Sequence, residues 1–151
     1  MTETAPLSDN DAEALFDSGL FCAEAVLLAM ARRLGVESPL IPNIATGLCS
    51  GMARSGQTCG ALSGAVLGLS LVGGRDNPDA LAGEAYGLVR PLVMQFEKRF
   101  GCTTCSELLG CDLATPEGQR IFRMDRLGTT HCRVYTGAAF AMAMDILDLP
   151  V

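Results

Sequence analysis

Apolar residues along most of the chain recur every three or four positions, the spacing of one buried helical face. The first such segment has Ser8 or Asp9 as its cap, Leu15 and Phe16 on its inner face and an end near Gly19. The second, CAEAVLLAMARRLG, starts at Cys22 and closes on Arg32, Arg33 and Gly35, the cations and glycine that favour a helix C-terminus. A connection, ESPLIPN, leads to a short helix over Asn43 to Leu48 and then to the loop CSGMARSGQ. Thr58 is the expected cap of CGALSGAVLGLSLV, which Gly73 and Gly74 stop. The longest helix is predicted from about residue 78 to residue 100, with Pro91 as a kink. Thr103 or Thr104 caps a CSELLG turn, and Thr115 with Pro116 opens TPEGQRIFRMDRLG. Thr130 caps a last helix from about His131 to Leu147.

No segment alternates with the period of two that a half-buried strand requires. Long repeats, low-complexity tracts and obvious linkers are also missing. The expected fold is all-α, a compact bundle of about five to seven helices with residues 1–151 as a single domain.

One stretch raises the question of a membrane. Between Arg54 and Arg75 there is no charged residue, and Gly60, Gly64 and Gly68 recur every four positions, as in closely packed membrane helix pairs. Its continuous apolar part runs only from Ala61 to Val72, short of the roughly 20 residues a span needs. The expectation is a buried helix whose glycines admit a close neighbour, such as the helix starting at Cys22. The same stripe could pack against a second copy in a homodimer.

Composition narrows the function. The chain has 151 residues, a net charge of −6, 49% hydrophobic residues and no Trp. Such an acidic chain lacks the basic footprint that phosphate neutralisation demands, which argues against nucleic acid. The N-terminal MTETAPLSDNDAEALF has neither the basic nor the apolar region of a secretory signal, so a cytoplasmic location is expected. Several catalytic strings are missing: the phosphate-binding P-loop, the dinucleotide-binding GxGxxG, HExxH and GxSxG. With one His, several imidazoles cannot share a metal within one chain.

Cysteine is what remains, seven residues in all. Cys22, Cys59, Cys105 and Cys132 each fall in the first turn of a predicted helix, where unpaired N–H groups favour a thiolate. Four such residues suggest helix ends converging on one thiolate pocket; buried cysteines that merely fill a core are the competing reading. Cys59, beside Thr58 and Gly60, is expected to have a thiol pKa below the free value. Cys102 and Cys105 form a single CTTC, and no strand precedes it, so a thioredoxin domain is not supported. Cys49, Cys102 and Cys111 form a second tier, either resolving thiols or bystanders. His131 reads as a solvated helix-end residue, with proton donor or extra ligand as the alternative.

Three blocks and the last cysteine resemble one family, the redox-active C_GCAxxG_C_C proteins. LFDSGLFCAEAVLLA is similar to the family's opening around Cys22 and Ala23. GMARSGQTCGALSGAVLGLSL matches the central signature at Cys59, Gly60, Ala61 and Gly64. FGCTTCSELLGCDL resembles the third block at Cys105 and Glu107 to Gly110, and Cys132 fits the final cysteine. The chain departs from the family at Cys49 and Ala53, where glycine is more usual, at Gln57 in place of an acid, and in carrying Cys102 and Cys111.

The resemblance implies redox activity, without a defined partner, and an association with transporters. Three functions follow as expectations. The first is dithiol–disulfide or electron-transfer chemistry by Cys59, Cys105, Cys22 and Cys132, with Cys59 attacking, which would make the protein a thiol-based oxidoreductase. The second is an iron–sulfur cluster or metal ion held by the same four thiolates. The third is a transporter accessory protein with inert, buried cysteines.

Overall fold

The computed structural model describes residues 11–148. Among these it is all-helical, with the elements α1 (Asp11–Asp17), α2 (Cys22–Leu34), α3 (Cys49–Arg54), α4 (Gly60–Gly73), α5 (Gly83–Phe100), α6 (Cys105–Leu109), α7 (Pro116–Met124) and α8 (Arg133–Ile146). A 3-10 turn over Asn43–Leu48 precedes α3, and a π-helical turn over Gly128–Cys132 leads into α8. Eight helices exceed the expected five to seven, because short pieces such as α3 and α6 stand as separate elements. No helix among the described residues is long and apolar enough to cross a membrane.

The central element is α4, which packs on α2, α5 and α8. Its glycine stripe is used inside the chain. A Cβ on Gly64 would lie 2.9 Å from the Cα of Ala23, and one on Gly68 would run into the side chain of Met30. The neighbour expected for the stripe is therefore α2, and this face is not open to a second copy. Around it Leu27, Met30, Leu62, Leu69, Phe96, Phe140 and Met144 are fully buried, each contributing about 1.5–3 kcal/mol of apolar transfer. Arg133 clamps α1 to α8 through Asp17 at 2.9 Å and Glu13 at 2.8 Å.

Several predicted boundaries shift, each for a local reason. The proposed caps Ser8 and Asp9 lie outside the described residues. On α1, Asp11 and Ala12 are the buried positions, while Leu15 and Phe16 are half-buried. The long helix starts at Gly83 rather than near Pro78. Asn77 Oδ1 accepts the N–H groups of Asp79 and Ala80, and the Arg75 guanidinium donates to the Pro78 and Ala80 carbonyls, which holds the preceding residues in a turn. Pro91 lies within the continuous helix that follows. Thr115 does cap α7, accepting the Gly118 N–H at 3.0 Å.

Candidate thiol site

Cys59 and Cys105 are brought side by side by the single isolated bridge among the described residues, an antiparallel pairing of Thr58 with Thr104. Cys59 N–H donates to the Thr103 carbonyl at 2.8 Å, and Cys105 N–H donates to the Gln57 carbonyl at 2.7 Å. Two chain segments far apart in sequence thus present adjacent cysteines, each at the start of a helix. Cys59 itself, rather than Thr58, is the N-cap of α4. Its sulfur faces the N–H groups of Ala61 and Leu62, which favour the thiolate, but burial outweighs them and pushes the thiol up to about 11. The expected activation of Cys59 is therefore reversed: removing the sulfur from water costs more than the helix end returns. Cys105 is also raised, chiefly by burial and then by the charge of Cys111.

Cys22 and Cys49 form the second pairing, and sequence spacing did not show it. Cys22 is the first residue of α2, and Cys49 opens α3 after the 3-10 turn. The neighbouring Cys22 thiol is the leading reason the Cys49 thiol is held well above its ordinary value, with burial second. The Cys49 sulfur also faces the N–H groups of Ala23 and Glu24 at the α2 N-terminus, and its thiol lies 3.6 Å from the Ala45 carbonyl oxygen. The Cys22 sulfur packs directly over Gly60, so the cysteines of α2 and α4 meet at one end of the bundle.

Cys22, Cys49 and Cys132 line a cavity of about 540 Å³, whereas Cys59 and Cys105 do not. Phe16, Phe21, Leu113 and Phe122 give it apolar walls. That volume lies within the usual range for small-molecule sites, about 300–1,000 Å³.

Cys132 is not at a helix start. The π-helical turn over Gly128–Cys132 runs straight into α8, and the Thr130 hydroxyl donates to the Arg126 carbonyl at 3.1 Å instead of capping. Only its own backbone N–H favours the Cys132 thiolate, the least of the influences on it. Burial, then charges on Cys59, Cys105 and Cys111, push its thiol up to about 12. His131 is half-buried, with Nδ1 2.7 Å from the Thr130 hydroxyl and its ring edge-on to Tyr135. Cys102 is half-buried, and Cys111 is buried with its thiol raised by burial and then by Asp112 and Asp125.

The seven thiols are all free, and the four expected ligands divide between the cavity wall and the bridge. Cysteine sulfur suits an iron–sulfur cluster or zinc chemically. Among the described residues, however, no three His, Cys, Asp or Glu side chains are gathered closely enough to share a metal ion. As placed, these residues do not fit a cluster.

The loop between the two pairs is left-handed. Ser50, Gly51, Met52, Ala53 and Arg54 all have φ between 54° and 68°, so α3 is not an ordinary right-handed helix. Each non-glycine residue in this conformation costs about 1–2 kcal/mol. Gln57 N–H to the Gly51 carbonyl at 3.0 Å and Ser55 N–H to the Met52 carbonyl at 3.1 Å hold the turn. Gly51 is wedged against Cys105 and the Gln57 backbone, where a Cβ would not fit. This strained turn separates the cavity cysteines from the bridge cysteines, and strain of this kind gathers at functional sites.

A family model described as "Putative redox-active protein (C_GCAxxG_C_C)" matches residues 20–146. No curated protein and no solved structure matches the chain. The family match covers most of the chain, which belongs to the C_GCAxxG_C_C family.

Proposed function

We propose that this member of the C_GCAxxG_C_C family is a thiol–disulfide redox protein whose first-reacting dithiol is Cys22 with Cys49. The supporting observation is that both cysteines line one open cavity, with the Cys22 thiol the strongest influence on its Cys49 neighbour. Cys49 holds its proton, its thiol donating to the Ala45 carbonyl at 3.6 Å, so Cys22 is the attacking sulfur and Cys49 resolves.

The exchange uses an external disulfide as oxidant. The Cys22 thiolate attacks one sulfur of that disulfide; the S–S bond breaks, and the other sulfur leaves as a thiolate and takes up a proton. Cys49 then loses its proton and attacks the Cys22 sulfur. A Cys22–Cys49 disulfide forms, and the second external sulfur leaves as a thiol. Two electrons pass from the protein to the external disulfide, which ends as two thiols.

Cys59 and Cys105 form a second thiol group with Cys132, which itself lines the cavity. One of them attacks the Cys22–Cys49 disulfide, a second closes the new bond, and Cys22 and Cys49 are released as thiols.

The test is exchange of the reduced protein with glutathione disulfide, quenched early and read by intact mass and released glutathione. Wild type should release two glutathiones per chain without retaining one. Cys49→Ser should release one and keep one on Cys22. If Cys49→Ser still releases two at the wild-type rate, Cys49 is not the resolving residue.

A further inference from the structure

Among the described residues, the cavity beside Cys22 and Cys49 carries charge of one sign only. Arg54 and Arg123 line it, and among the described residues no Asp or Glu does, although the chain holds 17 acidic residues against 11 basic ones. Both arginines are exposed, and among the described residues no acid forms an ion pair with either. By contrast Arg33, Arg120 and Arg133 are all paired with carboxylates. The nearby Glu24 is already engaged: its carboxylate accepts the Phe21 N–H at 2.9 Å and the Thr46 hydroxyl at 2.6 Å.

The walls have a different chemistry. Phe16, Phe21 and Phe122 present rings, and Phe21 is 59% exposed despite its size. An exposed ring at a cavity mouth is an apolar contact waiting for a partner. Thr46, Ser50 and Gln119 add a few polar groups, so the lining combines an apolar body with a small set of orienting contacts, as small-molecule sites do.

We infer that this cavity binds a small organic anion with an apolar, aryl-sized body, its carboxylate held by Arg54 and Arg123 and its body lying among Phe16, Phe21 and Phe122. Resting on the thiol–disulfide reading, the substrate class is an organic disulfide that carries such a carboxylate. The guanidiniums form charge-assisted hydrogen bonds to the carboxylate, while the apolar body brings the scissile S–S bond to the wall formed by Cys22 and Cys49. A neutral disulfide of the same size would lose the guanidinium contacts.

The experiment separates binding from chemistry. The probes for binding are 4-phenylbutyrate and its neutral amide, titrated calorimetrically into the reduced full chain. The acid should bind one per chain, and the amide at least tenfold more weakly. Arg54→Gln with Arg123→Gln, both surface changes, should abolish that preference. Cys22→Ser with Cys49→Ser should leave the binding of the acid intact while ending exchange with glutathione disulfide. Equal binding of acid and amide, no binding of either, or an unchanged preference in the double arginine variant would overturn the inference. Preferential binding of the acid together with absent exchange in wild type would overturn the redox reading alone and leave the anion site standing.

Discussion

The two cysteine pairs are built from similar parts and differ in what surrounds them. Cys59 and Cys105 are joined by backbone: a two-segment bridge fixes their main chains, burial keeps both thiols protonated, and neither lines the cavity beside Cys22. Cys22 and Cys49 are related through their side chains: the two thiols influence each other and border a cavity with three phenylalanines and two arginines. In both pairs a sulfur faces N–H groups at a helix start, and in neither does that suffice to lower a thiol. What distinguishes a reacting pair from a reserve is access to the cavity, while the helix end is common to both.

The strongest disruption of both pairs is separation of α2 from α4. Gly64→Ala puts a Cβ against the backbone of Ala23, with no flexible side chain to yield. The expected cost is about 3 kcal/mol by urea unfolding, with faster alkylation of Cys22 and Cys59 together. A cost below about 0.5 kcal/mol would mean that the close helix contact is not formed.

A pH titration of stability addresses the buried thiols, and the sign follows from the direction of their shifts. Folding raises Cys59 from 9.0 to about 11 and Cys132 from 9.0 to about 12. The folded state therefore keeps protons that the unfolded state has lost. Their stabilising contribution is full below about pH 9 and falls as pH rises through 11 and 12. The expected loss between pH 8 and pH 11 is on the order of 2 kcal/mol for each of these thiols, and Cys59→Ala should flatten part of it. Stability that is level over this range would contradict burial as the dominant influence on these thiols.

Gly51→Ala tests the partition between the pairs. The substitution meets the Cys105 Cβ and adds left-handed strain at φ +66°. It should cost about 1–2 kcal/mol and raise the alkylation rate of Cys105 more than that of Cys22. The smallest expected effect is a gain: Ala53→Gly relieves a residue at φ 54°, stabilising the protein by about 0.5–1 kcal/mol. Destabilisation would argue against a left-handed turn there.

Those two substitutions also mark where the sequence stops being legible. The start of α2 at Cys22, its glycine end at Gly35, the 3-10 turn at Asn43 and the packing of the Gly64 stripe all follow from local spacing and steric need. The turn at 50–54 does not, because Ser50, Met52, Ala53 and Arg54 disfavour positive φ, and only packing onto Cys105 and Gln57 holds them there. The sole hint was the family's preference for glycine where this chain has Cys49 and Ala53. Cys132 reads from the sequence as a helix start because Thr130 resembles a cap, whereas the Thr130 hydroxyl donates to the Arg126 carbonyl. The partnership of Cys49 with Cys22 was invisible because it spans two helical segments and depends on the turn of the chain between them.

The central claim, that Cys22 and Cys49 react first and Cys59 with Cys105 stand in reserve, is tested most directly by mapping the first disulfide. The reduced protein is exposed briefly to limiting glutathione disulfide, trapped with acid and alkylating agent, and digested without reduction. Trypsin cleaves at Arg33, Arg54 and Arg75, so Cys22, Cys49 and Cys59 fall on different peptides, and Cys105 on a fourth. The account predicts that the earliest cross-linked species joins the Cys22 and Cys49 peptides. A first cross-link between the Cys59 and Cys105 peptides, with Cys22 and Cys49 still alkylated, would contradict it.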